Sequence, residues 1–379
     1  MSEPKFRNPF RAERLGGYMP FFWYGSRWRT WSRILKSGNY DITLNRLPNI
    51  IGVTAMSPLA FIVDGLTQRA FNEAAAATEI LPPVFVLGHW RSGTTFLHNL
   101  LACDATHAYP TLYQCTFAGG FPLIEKRSGW MMTPFLPAKR PMDSVPLDRN
   151  VPFEDEFAMM KRDAGSPYLD LAFPRHGPKH TRFLDFEGAT EEERQNWEET
   201  LIWLMQRFQL VNPGKRLVLK SPPHTARVAT LLKLFPDARF IHICRNPYEI
   251  YPSTLKLWRV LNSRLGLHNP ARDEGWLPDY VLSTLPRMYR AYDRDRHLIP
   301  DGRLAEVTYE DLSRDPVGTV AFAYEKAGLG DFAATRPAVE TYLATLDEHE
   351  PKPVPLSVAE RAAIAERWGA YFDRFGYAR

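Results

Sequence analysis

"GHWRSGTTFLHNLL", residues 88–101, follows the apolar run "PPVFVLG" at 82–88. The run reads as a strand, the glycine-bounded stretch as a turn, and the amphipathic remainder as a helix. In that order they aim backbone N–H groups at a helix N-terminus toward an anion. The P-loop of NTPases is written G-x-x-x-x-G-K-[ST]. Gly88 and Gly93 keep that spacing here, but Thr94 stands where the lysine belongs, and the cation has moved inside the loop as Arg91. The stretch predicts a phosphate-like ligand other than ATP, with Arg91, Ser92, Thr94 and Thr95 as side-chain donors around Gly93.

Three more β-rich runs follow: "RLVLKS" at 216–221, "RFIHICR" at 239–245 and "LAEVTYE" at 304–310. Each delivers polar residues at its C-terminal end, and helical patterns such as "HTARVATLLKLF" at 224–235 separate them. The expected fold is α/β: a P-loop-like, mostly parallel sheet with helices on both faces, whose ligands bind beyond the carboxyl ends of the strands. Residues 1–80 read as a helical N-terminal cap and 81–379 as the α/β domain, with an insertion at about 102–214 between the first two strands. That insertion ends in a helix over 190–210, where Thr190 and Glu193 have capping-box spacing and Trp197, Leu201, Leu204, Met205 and Phe208 share a core face. Ser357 and Glu360 repeat the spacing before a C-terminal helical tail, 357–377.

Composition narrows the function. Hydrophobic residues at 45% and aromatic residues at 13% supply a folded core, and a net charge of +4 is too small to indicate a nucleic-acid partner. The three cysteines, Cys103, Cys115 and Cys244, have neither metal nor redox spacing, so the cytoplasm is the expected location. The most apolar stretch, "IIGVTAMSPLAFIV" at 50–63, is shorter than a spanning helix needs and contains Pro58, which argues against a transmembrane segment. Residues 18–35, with arginines among tryptophans, either touch a membrane surface peripherally or pack as an aromatic cap on the main domain.

The chemistry-bearing residues gather at strand ends. "LKSPPH" puts Lys220 at one end, "CRNPYEIYPST" puts Arg245 at another with Ser253 eight residues on, and "TYEDLSRDP" adds Tyr309 beside the fourth strand. Here the sequence resembles the sulfotransferases that use 3′-phosphoadenosine 5′-phosphosulfate (PAPS), closest to the bacterial and Golgi-like branch that writes "RSGTT" in its phosphate loop. The resemblance covers roughly 84–320 in order and spacing. It implies that Arg91, Ser92, Gly93, Thr94 and Thr95 hold the 5′-phosphosulfate and that Arg245 and Ser253 hold the 3′-phosphate. It implies further that Lys220 lies near the transferring group and Tyr309 borders the adenine. PAPS would be a co-substrate, leaving as adenosine 3′,5′-bisphosphate, and no metal is expected. Arg91 and Lys220 would neutralise charge on the leaving phosphate.

Two departures bear on the catalytic base. Cytosolic animal members carry a catalytic histidine two residues after the lysine, where this chain has Pro222, and their basic C-terminal clamp is poorly matched by "DRFGYAR". Similar bacterial members write "P-x-E-D-E", matched by "PFEDEF" at 152–157, which makes Glu154 the first candidate and Glu156 the second, with His98 and His224 further out. The same acids also suit the first turn of a helix. The acceptor is a small molecule, lipid or glycan bearing a hydroxyl. Rings in the cap and insertion, Phe21, Phe22, Trp23, Trp28, Trp31, Phe117, Phe121, Trp130 and Phe135, favour a lipophilic or aromatic alcohol. A P-loop kinase and a non-catalytic membrane-surface protein are the alternative readings.

Overall fold

The computed structural model describes residues 20–136, 147–271, 274–346 and 354–379. Five strands occur among them: β1 Val84–Leu87, β2 His107–Ala108, β3 Arg216–Lys220, β4 Arg239–Cys244 and β5 Leu304–Thr308. They lie in the order β2-β3-β1-β4-β5, and every neighbouring pair is parallel. Side-chain alternation gives the sheet two buried faces. Phe85, Leu87, Leu217 and Leu219 enter one core, while Val84, Val86, Val218, Ile241 and Ile243 enter the other. The chain leaves β3 on one side of β1 and enters β4 on the other, so β1 ends in a crevice between them.

The four runs read from the sequence are β1, β3, β4 and β5. The two-residue edge strand β2 inside the insertion is an addition, too short for any periodicity to show. The fourth run stops early: Thr308 caps a helix at Tyr309–Arg314, its hydroxyl accepting from the Asp311 N–H at 3.0 Å. The helix Glu191–Val211 forms with the expected capping box, and its five core residues are fully buried. The C-terminal tail is two helices, Val358–Arg367 and Gly369–Phe375, rather than one.

In the N-terminal region, α1 (Trp28–Ser37) packs on α2 (Leu47–Ala76). Phe22, Trp23 and Trp31 are buried in the main core, while Trp28, Arg29 and Arg33 are exposed. Phe121 is core too, whereas Trp130 is exposed. Residues 1–19 and the side chains of Phe21 and Phe135 lie outside the described residues.

The reading of 50–63 as too short and broken by proline is corrected by α2. This 30-residue helix runs through Pro58 and is long and apolar enough to cross a membrane. Proline removes the N–H that would bond the carbonyl four residues back. That carbonyl, on Thr54, instead accepts the Ser57 hydroxyl at 3.0 Å, so no buried acceptor is lost and the helix continues. Toward the protein, α2 buries Ile50 and Val53 in its first half and polar groups further along. Asp64 pairs with Arg27 and with Arg162 at 3.2 Å. The Asn72 amide oxygen accepts from Arg207 at 2.8 Å. Arg162 and Arg207 each stack on the Trp203 ring, 3.3 and 3.4 Å from its centroid.

Beside this layer, Lys161 is buried over the Phe22 ring, and its ammonium has one carbonyl partner, Thr116 O at 3.3 Å. Burial lowers its pKa from 10.5 to about 7. Between those values the unfolded chain binds a proton that the folded chain does not, so this lysine makes stability rise with pH from about 7 to 10.5. Lys161→Met should raise the thermal midpoint at pH 7 and abolish that residue's share of the rise toward pH 10. Melting curves of both proteins across this range check it.

Candidate active site

The loop after β1 is held open by backbone geometry. Gly88 and Gly93 have φ of +147° and +99°, and Arg91 adopts a left-handed φ of +67°. A Cβ on Gly93 would come within 2.4 Å of the Tyr309 ring, so only glycine lets the loop pass beneath it. The Gly88 N–H donates to Thr225 Oγ1 at 2.7 Å, and Ser92 Oγ donates to His89 O at 2.7 Å. The loop feeds directly into α3 (Thr94–Leu101), with Thr94 and Thr95 as its first residues. Burial lowers the His89 pKa to about 4, so this loop imidazole is neutral.

The predicted side chains converge on this loop. Arg91 Nε donates to Ser253 Oγ at 2.9 Å. Arg245 Nη1 donates to Arg91 O at 3.1 Å, and its guanidinium lies over the Tyr309 ring, 4.0 Å from the centroid. Glu249, one turn into the helix Pro247–Leu265, also pairs with Arg245. The C-terminal helix grips the same residue: the Tyr371 hydroxyl accepts from the Arg245 N–H at 3.1 Å and donates to its carbonyl at 3.2 Å. This tail thus reaches the site through tyrosine instead of a basic clamp.

Three consecutive acids from the insertion meet three bases that run from the last residue of β3 into the turn and helix start that follow. Glu154 accepts from Lys220 Nζ at 2.5 Å, Asp155 bonds His224 Nε2 at 2.8 Å, and Glu156 takes Arg227 in a two-point pair at 2.7 and 3.0 Å. The last two pairs are fully buried, whereas the Glu154 carboxylate retains 15% exposure. Tyr168 donates to the other Glu154 oxygen at 2.5 Å, and the indole of Trp90, in the phosphate loop, donates to the Tyr168 hydroxyl at 2.7 Å. Burial, then Glu154, pushes the Tyr168 pKa well up and keeps it a donor. For Asp155, burial raises the pKa, but His224 and Ser221 together bring it below the ordinary value.

This geometry sorts the candidate bases. Glu156 is withdrawn, because both of its oxygens are committed to Arg227 inside the core. His224 is fully buried against Asp155. His98 is buried with its pKa down to about 3, through burial and then Lys220, and its Nε2 lies 3.2 Å from Val218 O. Glu154 alone of the three acids opens toward Lys220 and the loop. Sequence reasoning missed Tyr168 and Tyr371, which carry no motif, and passed over Trp90, which stands inside the phosphate-loop motif at a position the motif leaves open.

It also saw no metal-ligand cluster, yet the fold joins Asp41, His176 and His268. Their separation along the chain hides them from any spacing rule. His268 Nε2 accepts the Arg175 N–H at 2.9 Å, which leaves Nδ1 protonated and donating to Asp41 at 3.0 Å. With that tautomer the trio satisfies itself by hydrogen bonds.

Residues 82–333 match the model of the sulfotransferase family. Over 376 residues the chain is 37% identical to the omega-hydroxy-beta-dihydromenaquinone-9 sulfotransferase Stf3 of Mycobacterium bovis, covering 98% of this chain and 95% of that protein. The Mycobacterium tuberculosis protein of the same name gives the same figures. Sulfotransferase STF9 from Mycobacterium avium superposes with a TM-score of 0.70 at 22% identity, over 98% of both chains. STF1 from Mycobacterium tuberculosis gives 0.63 at 17%, over 90% of this chain and 92% of that one. These two structures share the fold.

Breaking a buried ion pair leaves one charge unmatched and costs about 3–5 kcal/mol. Glu156→Gln should therefore lower unfolding stability on that scale in denaturant titrations, and Glu154→Gln by less, because the Glu154 carboxylate keeps some solvent contact.

Proposed function

The chain belongs to the sulfotransferase family, and we propose that it uses PAPS as donor and a lipophilic alcohol as acceptor. The observation that carries the donor reading is two cationic positions on one sheet edge: Arg91 within the phosphate loop, and Arg245 against the Arg91 carbonyl with Ser253 close by. A nucleotide phosphorylated at both 3′ and 5′ positions uses both. Arg245 suits the 3′-phosphate because its planar fork binds two oxygens at once. Arg91 through Thr95 take the 5′-phosphosulfate, and Tyr309, already stacked on Arg245, borders the base.

In the transfer, the bond from sulfur to the 5′-phosphate oxygen breaks as the acceptor oxygen bonds to sulfur. Adenosine 3′,5′-bisphosphate leaves, and the acceptor proton passes to Glu154. Charge spreads over oxygens throughout, so positioning and electrostatics do most of the catalysis. Lys220 and Arg91 neutralise the leaving phosphate. Lys220 and Tyr168 each hold one Glu154 oxygen, which fixes the carboxylate beside the donor loop. No step in this reading uses a metal.

The acceptor class rests on two supports. A 37% identical relative is named for a hydroxylated menaquinone. Beside Glu154, aromatic rings gather: Phe157 stacks on Tyr168 at 4.6 Å, and Trp258 packs on Trp90 at 5.7 Å. Glu154 and Tyr168 both come from the insertion, so we assign the acceptor side to residues 102–214. We place the protein in the cytoplasm, where its three free cysteines stay thiols.

Calorimetry should show adenosine 3′,5′-bisphosphate binding more tightly than AMP by about 1.5–3 kcal/mol, the contribution of a charge-assisted hydrogen bond. Arg245→Ala should remove most of that difference, and equal binding of the two nucleotides to the unmodified protein would sink the donor reading. With labelled PAPS and a hydroxylated prenylquinone, Glu154→Gln should cut turnover by about 10²–10⁴-fold with donor affinity unchanged. A near-normal rate would remove Glu154 as the base.

A further inference from the structure

We infer that α2 is a membrane-docking helix that lies in the plane of an anionic bilayer. Its outward side is more apolar than its protein-facing side. The protein-facing side mixes Ile50, Val53 and Ala75 with the polar Asn49, Ser57, Asp64 and Thr67, all buried. The outward side carries Ile51, Met56, Leu59, Phe61, Ile62 and Leu66, all exposed, with Ile51 and Phe61 above 60%. Ile51, Leu59, Ile62 and Leu66 recur at helical spacing, an apolar stripe about 22 Å long at 1.5 Å per residue. A soluble surface rarely leaves such a stripe uncovered.

Charge identifies the occupant. Arg27 is neutralised by Asp64, but from Trp28 to Val63 the sequence has four basic residues and one acid, Asp41. Arg29, Arg33 and Lys36 are exposed on α1, which packs on α2, and no acid of α1, nor of α2 before Glu73, is exposed. Trp28 and Tyr40, at the two ends of α1, are exposed as well, and such rings settle at headgroup level. Apolar side chains flanked by cations and interfacial aromatics fit a lipid surface with negative headgroups.

The helix lies on the bilayer and does not cross it. Asp64 is bound to Arg27 and Arg162, and Asn72 to Arg207, so the second half of α2 is fastened to charged partners in the protein. Spanning would strip those pairs and carry an unpaired carboxylate into hydrocarbon. Docking itself needs neither nucleotide nor turnover.

Vesicle flotation with the purified full chain tests this. The protein should float with mixed phosphatidylcholine–phosphatidylglycerol vesicles, and less with phosphatidylcholine alone or in high salt. Leu59→Glu/Ile62→Glu should weaken flotation by about tenfold or more, and Ile51→Gln, at another turn, should weaken it as well. Both variants should keep cooperative melting and nucleotide affinity. Arg29→Glu/Arg33→Glu should lose the preference for anionic lipid. No flotation, or equal flotation of the Glu variant, overturns the proposal. So does a dimer in sedimentation velocity that the Glu variant converts to monomer, which would make the stripe a self-association face. Bound protein that resists alkaline carbonate extraction would overturn the in-plane placement.

Discussion

Three acid–base contacts, the ion pairs Glu154–Lys220 and Glu156–Arg227 and the hydrogen bond Asp155–His224, fasten the insertion to the sheet. Consecutive acids on one side meet bases spaced by four and three residues on the other, as β3 passes into a helical turn at Pro222–Ala226. Desolvating charges is expensive, so the two inner pairs fix register more than they add net stability. Their consequence is positional. With Asp155 and Glu156 anchored in the core, Glu154 has one place to stand, at the carboxyl end of β3 and within reach of the phosphate loop through Tyr168 and Trp90.

The same arrangement divides labour among chemically similar groups. Of three adjacent carboxylates only one keeps solvent contact, and of the nearby imidazoles, those of His98 and His224 are buried. Identity of side chain decides little here; the partner and the degree of burial decide most. Arg245 shows the same rule in a cation, since its backbone is gripped by Tyr371 while its guanidinium faces Tyr309 and the loop.

How much of this was legible in the residues follows from what each feature depends on. The strands β1, β3, β4 and β5 announce themselves, because strands buried on both faces read as apolar runs, and the polar residues behind them mark the site. β2 is two residues long and has no period to read. The acid cluster was visible at 154–156, but its roles depend on partners near 220–227, which no local pattern reveals. Tyr168 sits in a stretch with no motif at all. The helix through Pro58 was misjudged because proline normally breaks the ladder, and the rescue by Ser57 depends on a single hydroxyl. The outward apolar stripe of α2 is invisible from hydropathy, which counts apolar residues without saying which side meets the protein.

The position of β1 has a kinetic meaning. The central strand is made first, at residues 84–87, yet both of its neighbours lie more than a hundred residues further along, at 216–220 and 239–244. During synthesis it therefore waits with two open edges until the segments that flank it have been made. Sheets closed by such distant pairings fold slowly, and an unpaired apolar strand is a template for pairing with other chains. Helices close by in sequence, such as α3 directly after it, can shelter its faces during that interval but not its edges.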